Sequence, residues 1–277
     1  MSFQYQPQRN VTDRNDCFFY HRMDLPETDT PATNWDLRDC INDYLGGVDF
    51  TGKRALDIGT ASGYLSFEME KRGADVVSFD MPSSDNWDVV PHYRYKLEQE
   101  QRRDSLRKGH ERLQNAYWYA HKKLNSNAEV FYGDIYDLPV QMGNFDVVLM
   151  GMILGHVRDP FQAIYSASRL CRDTIIITNQ TNRPRWWQVF KKNKQNGDAK
   201  FMPSGDQEIL RAWWNLSIPC LDRMLSTVGF QIVKTIHCSP KCLVENRTGR
   251  EHCTSIVAKR FAGEAEGIGQ YMASRAA

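Results

Sequence analysis

The chain has no long apolar run. None of its segments approaches the ~20 residues needed to cross a bilayer, and its N-terminus has no basic-then-apolar leader pattern, so a cytosolic protein is expected. Its seven cysteines are odd in number, scattered and without a Cys-x-x-Cys pair, which argues against a disulfide framework or a metal site. Cys220, Cys238 and Cys253 fall within apolar patterns and read as small core residues. Neither sign of charge is in excess: the formal net charge is +1, so no global field directs the chain to nucleic acid or membrane. Repeats and low-complexity tracts are absent as well. At 277 residues, one α/β domain with elaborations can use the whole length.

The most informative stretch is also defined partly by what it lacks. Arg54 to Ile58 is a short apolar run that stops at Gly59, and a helical pattern restarts at Tyr64. A second apolar run, Ala74 to Phe79, ends in Asp80, seventeen residues after Gly63. Strand, glycine-bearing turn, helix and a strand closed by a carboxylate is the order of a nucleoside-binding βαβ unit. Glycine lets backbone approach a ligand closely, and a carboxylate at the second strand's end can accept both hydroxyls of a ribose. A dinucleotide site requires three glycines and a helix start open to pyrophosphate. Here the spacing is Gly59-x-x-x-Gly63 with Ala61 at its centre, and no Gly-Lys-Ser/Thr follows. A nucleoside without phosphate fits better, and Asp57, just before the turn, suits a cationic amino-acid end.

These residues resemble motif I of the class I S-adenosylmethionine-dependent methyltransferases. The resemblance implies S-adenosylmethionine as cofactor and a Rossmann-like seven-stranded α/β sheet, with Asp57, Gly59, Thr60, Ala61, Gly63, Tyr64, Asp80 and Met81 at the cofactor. Further elements follow in the family's order. Asn127 to Leu138 holds the third strand, with an acidic residue at its end, and the resemblance brings Asp134 to the adenine amino group with Ile135 stacking nearby and Gly133 at the cofactor. Phe145 to Leu154 is the fourth strand and its exit, with Met150 and Gly151 beside the cofactor, and Asp173 to Asn179 is the fifth. Continuous β-branched runs of this kind imply strands covered on both faces. Phe230 to Cys238 and His252 to Lys259 would form the antiparallel pair that completes the sheet. The implied division is an N-terminal extension or lid over 1–50 and a methyltransferase domain over 51–277, with a helical insertion at 83–111 and a cap at 180–228.

Substrate information is expected in those three elaborations. Tyr20-His21-x-x-Asp24-Leu25 and Trp35-Asp36-Leu37-Arg38 resemble signatures of the family related to the tRNA wobble-uridine carboxymethyltransferases. Phe18 and Phe19 read as packing, whereas the polar tips of Tyr20, His21, Trp35 and Arg38 suit a site. From His92 to Lys123 there are nine Lys or Arg against four acids, a local +5 that reads either as a solvated helix face or as a surface for phosphates. Leu113, Tyr117, Ala120 and Leu124 recur at helical spacing and mark the ordinary second helix, with the true insertion before it. The third elaboration holds Arg183, Arg185, Trp186, Trp213 and Trp214, each tryptophan read as cap packing or as ligand contact.

Methyl transfer needs an acceptor held in line with the methyl–sulfur bond, water kept out and, for a hydroxyl or ammonium acceptor, a base. His156, after the fourth strand, is the first candidate base and His21 the second. The alternative for His156 is a turn that organises the next helix, with Asp159 as cap and Pro160 in the first turn. Arg158, Arg183 and Arg185 are candidate clamps for an anionic group. The related tRNA enzymes carry a tyrosine directly before the histidine; Gly155 stands there in this chain, so plain rather than carboxylated S-adenosylmethionine is expected. Three readings follow: O-methylation of a small polar or aromatic metabolite, methylation of RNA through the basic insertion, and a non-catalytic nucleoside-binding regulator. The first is preferred, with a monomer or homodimer, no membrane and no metal.

Overall fold

Apolar side chains alternate along the strands and so feed two separate cores. A computed structural model describes residues 3–28, 33–83, 88–93, 96–181, 197–204, 212–244 and 247–261. In chain order its elements are β1 (Trp35–Asp36), α1 (Ile41–Tyr44), β2 (Arg54–Ile58), α2 (Tyr64–Lys71), β3 (Asp75–Asp80), α3 (Lys96–Lys123), β4 (Glu129–Tyr132) and β5 (Phe145–Gly151). They continue with α4 (Pro160–Ser168), β6 (Cys171–Gln180), β7 (Ala199–Phe201), β8 (Trp214–Leu216), α5 (Ile218–Thr227), β9 (Phe230–Cys238), β10 (Lys241–Val244), β11 (Arg247–Arg250) and β12 (Cys253–Arg260). Along β5, Val147 and Leu149 join a core with Tyr44, Leu65 and Tyr117, while Val148 and Met150 join one with Ile164, Leu221 and Leu225. This period of two makes β5 a central strand with helices on both faces.

The main sheet has seven strands in the order β4-β3-β2-β5-β6-β12-β9. The first five are parallel, and β12 is antiparallel to both β6 and β9. The chain winds outward from β2 through β3 to β4, then returns to β5 on the other side of β2. The carboxyl ends of β2 and β5 therefore flank the topological switch point, where such sheets bind ligands.

Two elements differ from expectation. The insertion and the second helix are one continuous helix, α3, because nothing between Lys96 and Lys123 breaks the pattern: Gly109 is the only glycine and there is no proline. The hairpin of β10 and β11 lies between the last two sheet strands and pairs with β1, joining the N-terminal segment to the C-terminal part of the sheet. The cysteines are buried except Cys40, which is half-buried. Cys40, Cys238 and Cys253 are brought together, and the Cys40 thiol is raised first by its hydrogen bond with Cys238 and then by burial.

The N-terminal segment wraps the domain. Gln6 donates its N–H to the Val130 carbonyl on edge strand β4 at 2.7 Å, and Phe3 stacks on Phe131. Further on, Arg112 of α3 donates to the Cys17 carbonyl at 3.1 Å and Lys122 to Asn10 at 2.7 Å. The bond to Val130 takes up one of the backbone groups that edge strand β4 would otherwise present unpaired.

Gly63, with φ +88°, starts α2, and a Cβ there would lie 2.5 Å from Phe67 and 2.6 Å from Tyr117. Gly52 has φ +66° and open space around it. Gly63→Ala combines left-handed strain with overpacking and is expected to cost about 3 kcal/mol; Gly52→Ala, with strain alone, about 1 kcal/mol. Urea unfolding of the two variants checks the difference.

Candidate functional site

A buried polar chain runs beneath the turn after β2. Asp57 has no exposure, and its Oδ2 accepts from Ser66 Oγ at 2.6 Å. Ser66 is also bonded to Thr60 at 2.8 Å and to Ser78 at 2.7 Å, and Ser78 to the Tyr117 hydroxyl at 2.8 Å. The chain ties β2, α2, β3 and α3 into one unit. Asp57 Oδ1 has no partner. Burial pushes the Asp57 carboxyl up to about 6, against the hydrogen bonds from Ser66 and Thr60 that lower it.

The turn itself is held from β3. Gly59 and Thr60 donate N–H to the Phe79 carbonyl, and Ala61 donates to Asp80 Oδ2 at 2.8 Å. Ala61 adopts φ +52°, a conformation that costs a residue with a Cβ about 1 kcal/mol, and the bond to Asp80 helps to hold it. Asp80 Oδ1 accepts from Met81 N at 2.8 Å. Each oxygen keeps acceptor capacity, because a carboxylate offers about four lone-pair positions. Burial raises the Asp80 carboxyl, and His110, 3.9 Å away, opposes the shift. His110 and Gln114 of α3 both meet the Met81 carbonyl, at 3.0 and 3.1 Å, which fixes the exit of β3. At the end of β4, Gly133 N donates to the Asp80 carbonyl at 2.9 Å, and a Cβ on Gly133 would lie 2.7 Å from Phe131. Asp134 is exposed and closes a turn onto Tyr136 N at 2.9 Å, with Ile135 half-buried beside it.

The N-terminal segment docks on the same turn through Ser62, whose hydroxyl accepts from Tyr20 N at 3.2 Å and His21 N at 3.4 Å. The Tyr20 hydroxyl accepts from Trp35 Nε1 at 3.0 Å. The His21 ring stands between Tyr20 and Tyr64, its Nδ1 is buried without a partner, and burial lowers it to about 3, so it is neutral at neutral pH.

Several residues expected at the ligand are otherwise engaged. Arg38 gives its Nε and Nη2 to the two oxygens of Asp36 and its Nη1 to Asp24, at 2.9, 2.9 and 2.5 Å, so it braces β1. The side chains of Tyr64 and Met150 are buried in the two cores, which leaves only their backbone for the site. Trp213 and Trp214 spend their indole N–H groups on the carbonyls of Asp88 and Arg158, at 2.5 and 3.0 Å. Their backbone N–H groups both reach the Gly155 carbonyl, so this part of the cap packs on the turn after β5. Arg158 pairs with Asp88 at 3.5 Å; the same Asp88 accepts from Tyr136, whose hydroxyl receives the Arg158 and Asp159 N–H groups. His156 is exposed in that turn, and its N–H meets the Ile153 carbonyl at 2.9 Å. Asp159 caps α4 through Gln162 N at 2.9 Å, with Pro160 in the first helical turn. Arg183, Arg185 and Trp186 lie outside the described residues.

Residues 36–235 match the profile of the family described as a methyltransferase domain. The chain belongs to that family. Among curated proteins, the methyltransferase is similar to the tRNA U34 carboxymethyltransferase of Ectopseudomonas mendocina, 25% identical over 215 residues that cover 72% of this chain and 52% of that protein. The enzyme of the same description from Trichlorobacter lovleyi is 26% identical over 208 residues, 73% of this chain and 51% of its own. The chain thus spans about half the length of the curated relatives it matches. Its fold is similar to a solved structure described as converting a disulfide bond into a thioacetal group during echinomycin biosynthesis, with TM-score 0.51, 13% identity, and 84% and 87% of the two chains covered. The magnesium protoporphyrin IX methyltransferase of Synechocystis PCC 6803, solved with bound SAH, aligns with TM-score 0.49 and 15% identity over 81% and 82%.

The folded state holds the Asp57 proton more tightly than the unfolded chain does. The resulting electrostatic penalty is absent below about pH 4 and complete above about pH 6. Asp57→Asn is expected to stabilise the ligand-free methyltransferase by about 1–3 kcal/mol at pH 8, with the gain fading by pH 4. Thermal unfolding across that range measures it.

Proposed function

We propose that this methyltransferase transfers the methyl group of S-adenosylmethionine to an oxygen of a small polar or aromatic metabolite in the cytoplasm. S-adenosylmethionine is the cofactor, and it supplies an activated methyl on a sulfonium. The residues present fit it. Asp80 retains the acceptor capacity that two ribose hydroxyls need, and Gly133 leaves room where a Cβ would crowd Phe131. Asp134 and Ile135 would hold the adenine; the backbone of Gly59, Thr60, Ala61 and Gly63, with that of Met150 and Gly151, would line the opposite end. The unpaired buried charge of Asp57 favours a cation there. His156 would take the acceptor's proton from its exposed position after β5. His21 is a weaker base in its buried neutral state and is better suited to accepting a hydrogen bond.

The observation that supports a small acceptor is the use of the α3 cations. Arg112 and Lys122 are spent on the N-terminal segment, Lys123 faces Glu27 at 3.6 Å and Arg107 faces Asp104 at 3.2 Å. These four are matched by groups of the chain itself, while Arg103 and Lys108 stand exposed on the same helix. RNA methylation is the second reading, favoured by the tRNA-modifying relatives.

Calorimetric titration with S-adenosylhomocysteine, with and without bulk tRNA at two salt concentrations, tests both parts. The expected result is cofactor binding that Asp80→Ala weakens about a hundredfold, with no salt-sensitive RNA signal. RNA affinity that falls steeply with salt would favour the second reading, and absence of cofactor binding would overturn the proposal.

A further inference from the structure

Gly151, at the carboxyl end of β5, faces a side chain from the N-terminal elaboration. A Cβ on Gly151 would lie 2.8 Å from Leu65 and 3.4 Å from the Tyr44 hydroxyl, so the phenol stands at the switch point between β2 and β5. Tyr44 is firmly placed: its carbonyl accepts from both Thr178 at 3.0 Å and Ser255 at 2.8 Å, and its side chain is buried. Its hydroxyl makes no hydrogen bond among the described residues. Burial first, then Cys253, Tyr20, Cys238 and Asp57, holds the phenol well above its ordinary pKa, which keeps it a donor. Two further polar groups beside the same turn also lack partners, Nδ1 of the neutral His21 and Oδ1 of Asp57. The charged group with the largest effect on the Asp57 carboxyl is another carboxylate, Asp80, which raises it further.

A phenol donor beside the end of β5, an unpartnered ring nitrogen beside Tyr64 and an unpartnered carboxylate oxygen beneath the turn thus flank the turn after β2. That set complements a zwitterion. Asp80 and Asp134 would occupy the nucleoside over β3 and β4, so the rest of the ligand reaches the switch point. We propose that Tyr44 reads the amino-acid end of the cofactor, its hydroxyl donating to the α-carboxylate while His21 Nδ1 accepts from the ammonium within the field of Asp57. The inference rests on S-adenosylmethionine being the cofactor. It gives Tyr44, in the segment before the sheet, a part in choosing a nucleoside that carries an amino acid over one that does not.

The experiment compares S-adenosylhomocysteine, its decarboxylated analogue and 5′-methylthioadenosine by calorimetry. The parent protein should bind the decarboxylated analogue about tenfold to a hundredfold more weakly than S-adenosylhomocysteine. Tyr44→Phe should lose the same factor for S-adenosylhomocysteine, barely distinguish the two ligands, and bind 5′-methylthioadenosine as the parent does, which also shows that it folds. If Tyr44→Phe does not fold, His21→Ala carries the test, with affinity lost for S-adenosylhomocysteine and kept for 5′-methylthioadenosine. A variant that keeps the full preference for the carboxylate, or a parent that binds all three ligands alike, overturns the inference while leaving the cofactor reading intact. A parent that binds none of them overturns both.

Discussion

A carboxylate buried with half its hydrogen-bonding capacity unmet is the constraint on which this structure turns. Asp57 is enclosed at the end of the central strand, and Ser66, Thr60, Ser78 and Tyr117 form a hydroxyl chain that only partly offsets its loss of water. A hydrophobic residue in its place would suit the empty fold better. The residue makes physical sense when a cation comes to the switch point, because its charge then contributes to binding what it costs in stability. Ala61 shows a similar compromise. It sits in a left-handed conformation beside the same turn, fastened by the carboxylate that would hold the ribose.

Much of the chain outside the sheet serves to keep that turn in place. The N-terminal segment covers the edge of β4, runs along α3 and docks on Ser62, so its route binds one end of the sheet to the turn. The hairpin of β10 and β11 holds β1 from the other side. The cap contributes through backbone and indole N–H groups that brace the turn after β5. Elaborations that read as substrate-binding from their aromatic content therefore do mechanical work first. Arg38 illustrates the change of role: a guanidinium suited to an anionic ligand is already matched by Asp36 and Asp24.

The sheet was legible because each of its strands is a short apolar run with a definite end. The positions of the turn between Asp57 and Gly63 and of Asp80 at the end of β3 were legible because apolar run, glycine-bearing turn, helical pattern and second apolar run follow one another there. The β10–β11 hairpin escaped notice since Lys241 to Arg250 is polar and lacks a period-two apolar pattern. Tyr44 escaped because its place beside Gly151, more than a hundred residues away, is encoded by no local pattern. Ser78 did leave a signal: a hydroxyl in the middle of the apolar run Val76 to Phe79 requires a buried partner. Trp213 and Trp214 stayed open between cap packing and ligand contact because an indole suits a ligand and a carbonyl equally well, and sequence cannot say which it meets.

The most direct test of the buried carboxylate is the proton released when S-adenosylhomocysteine binds. It is measured by calorimetry at pH 6 in buffers of different ionisation enthalpy. With Asp57 at about 6 in the free protein and an ammonium brought near it on binding, the parent should release a fraction of a proton that disappears at pH 8 and in Asp57→Asn. Binding without proton release at pH 6, or release that persists in Asp57→Asn, would contradict the pairing of the Asp57 charge with the ammonium of the cofactor.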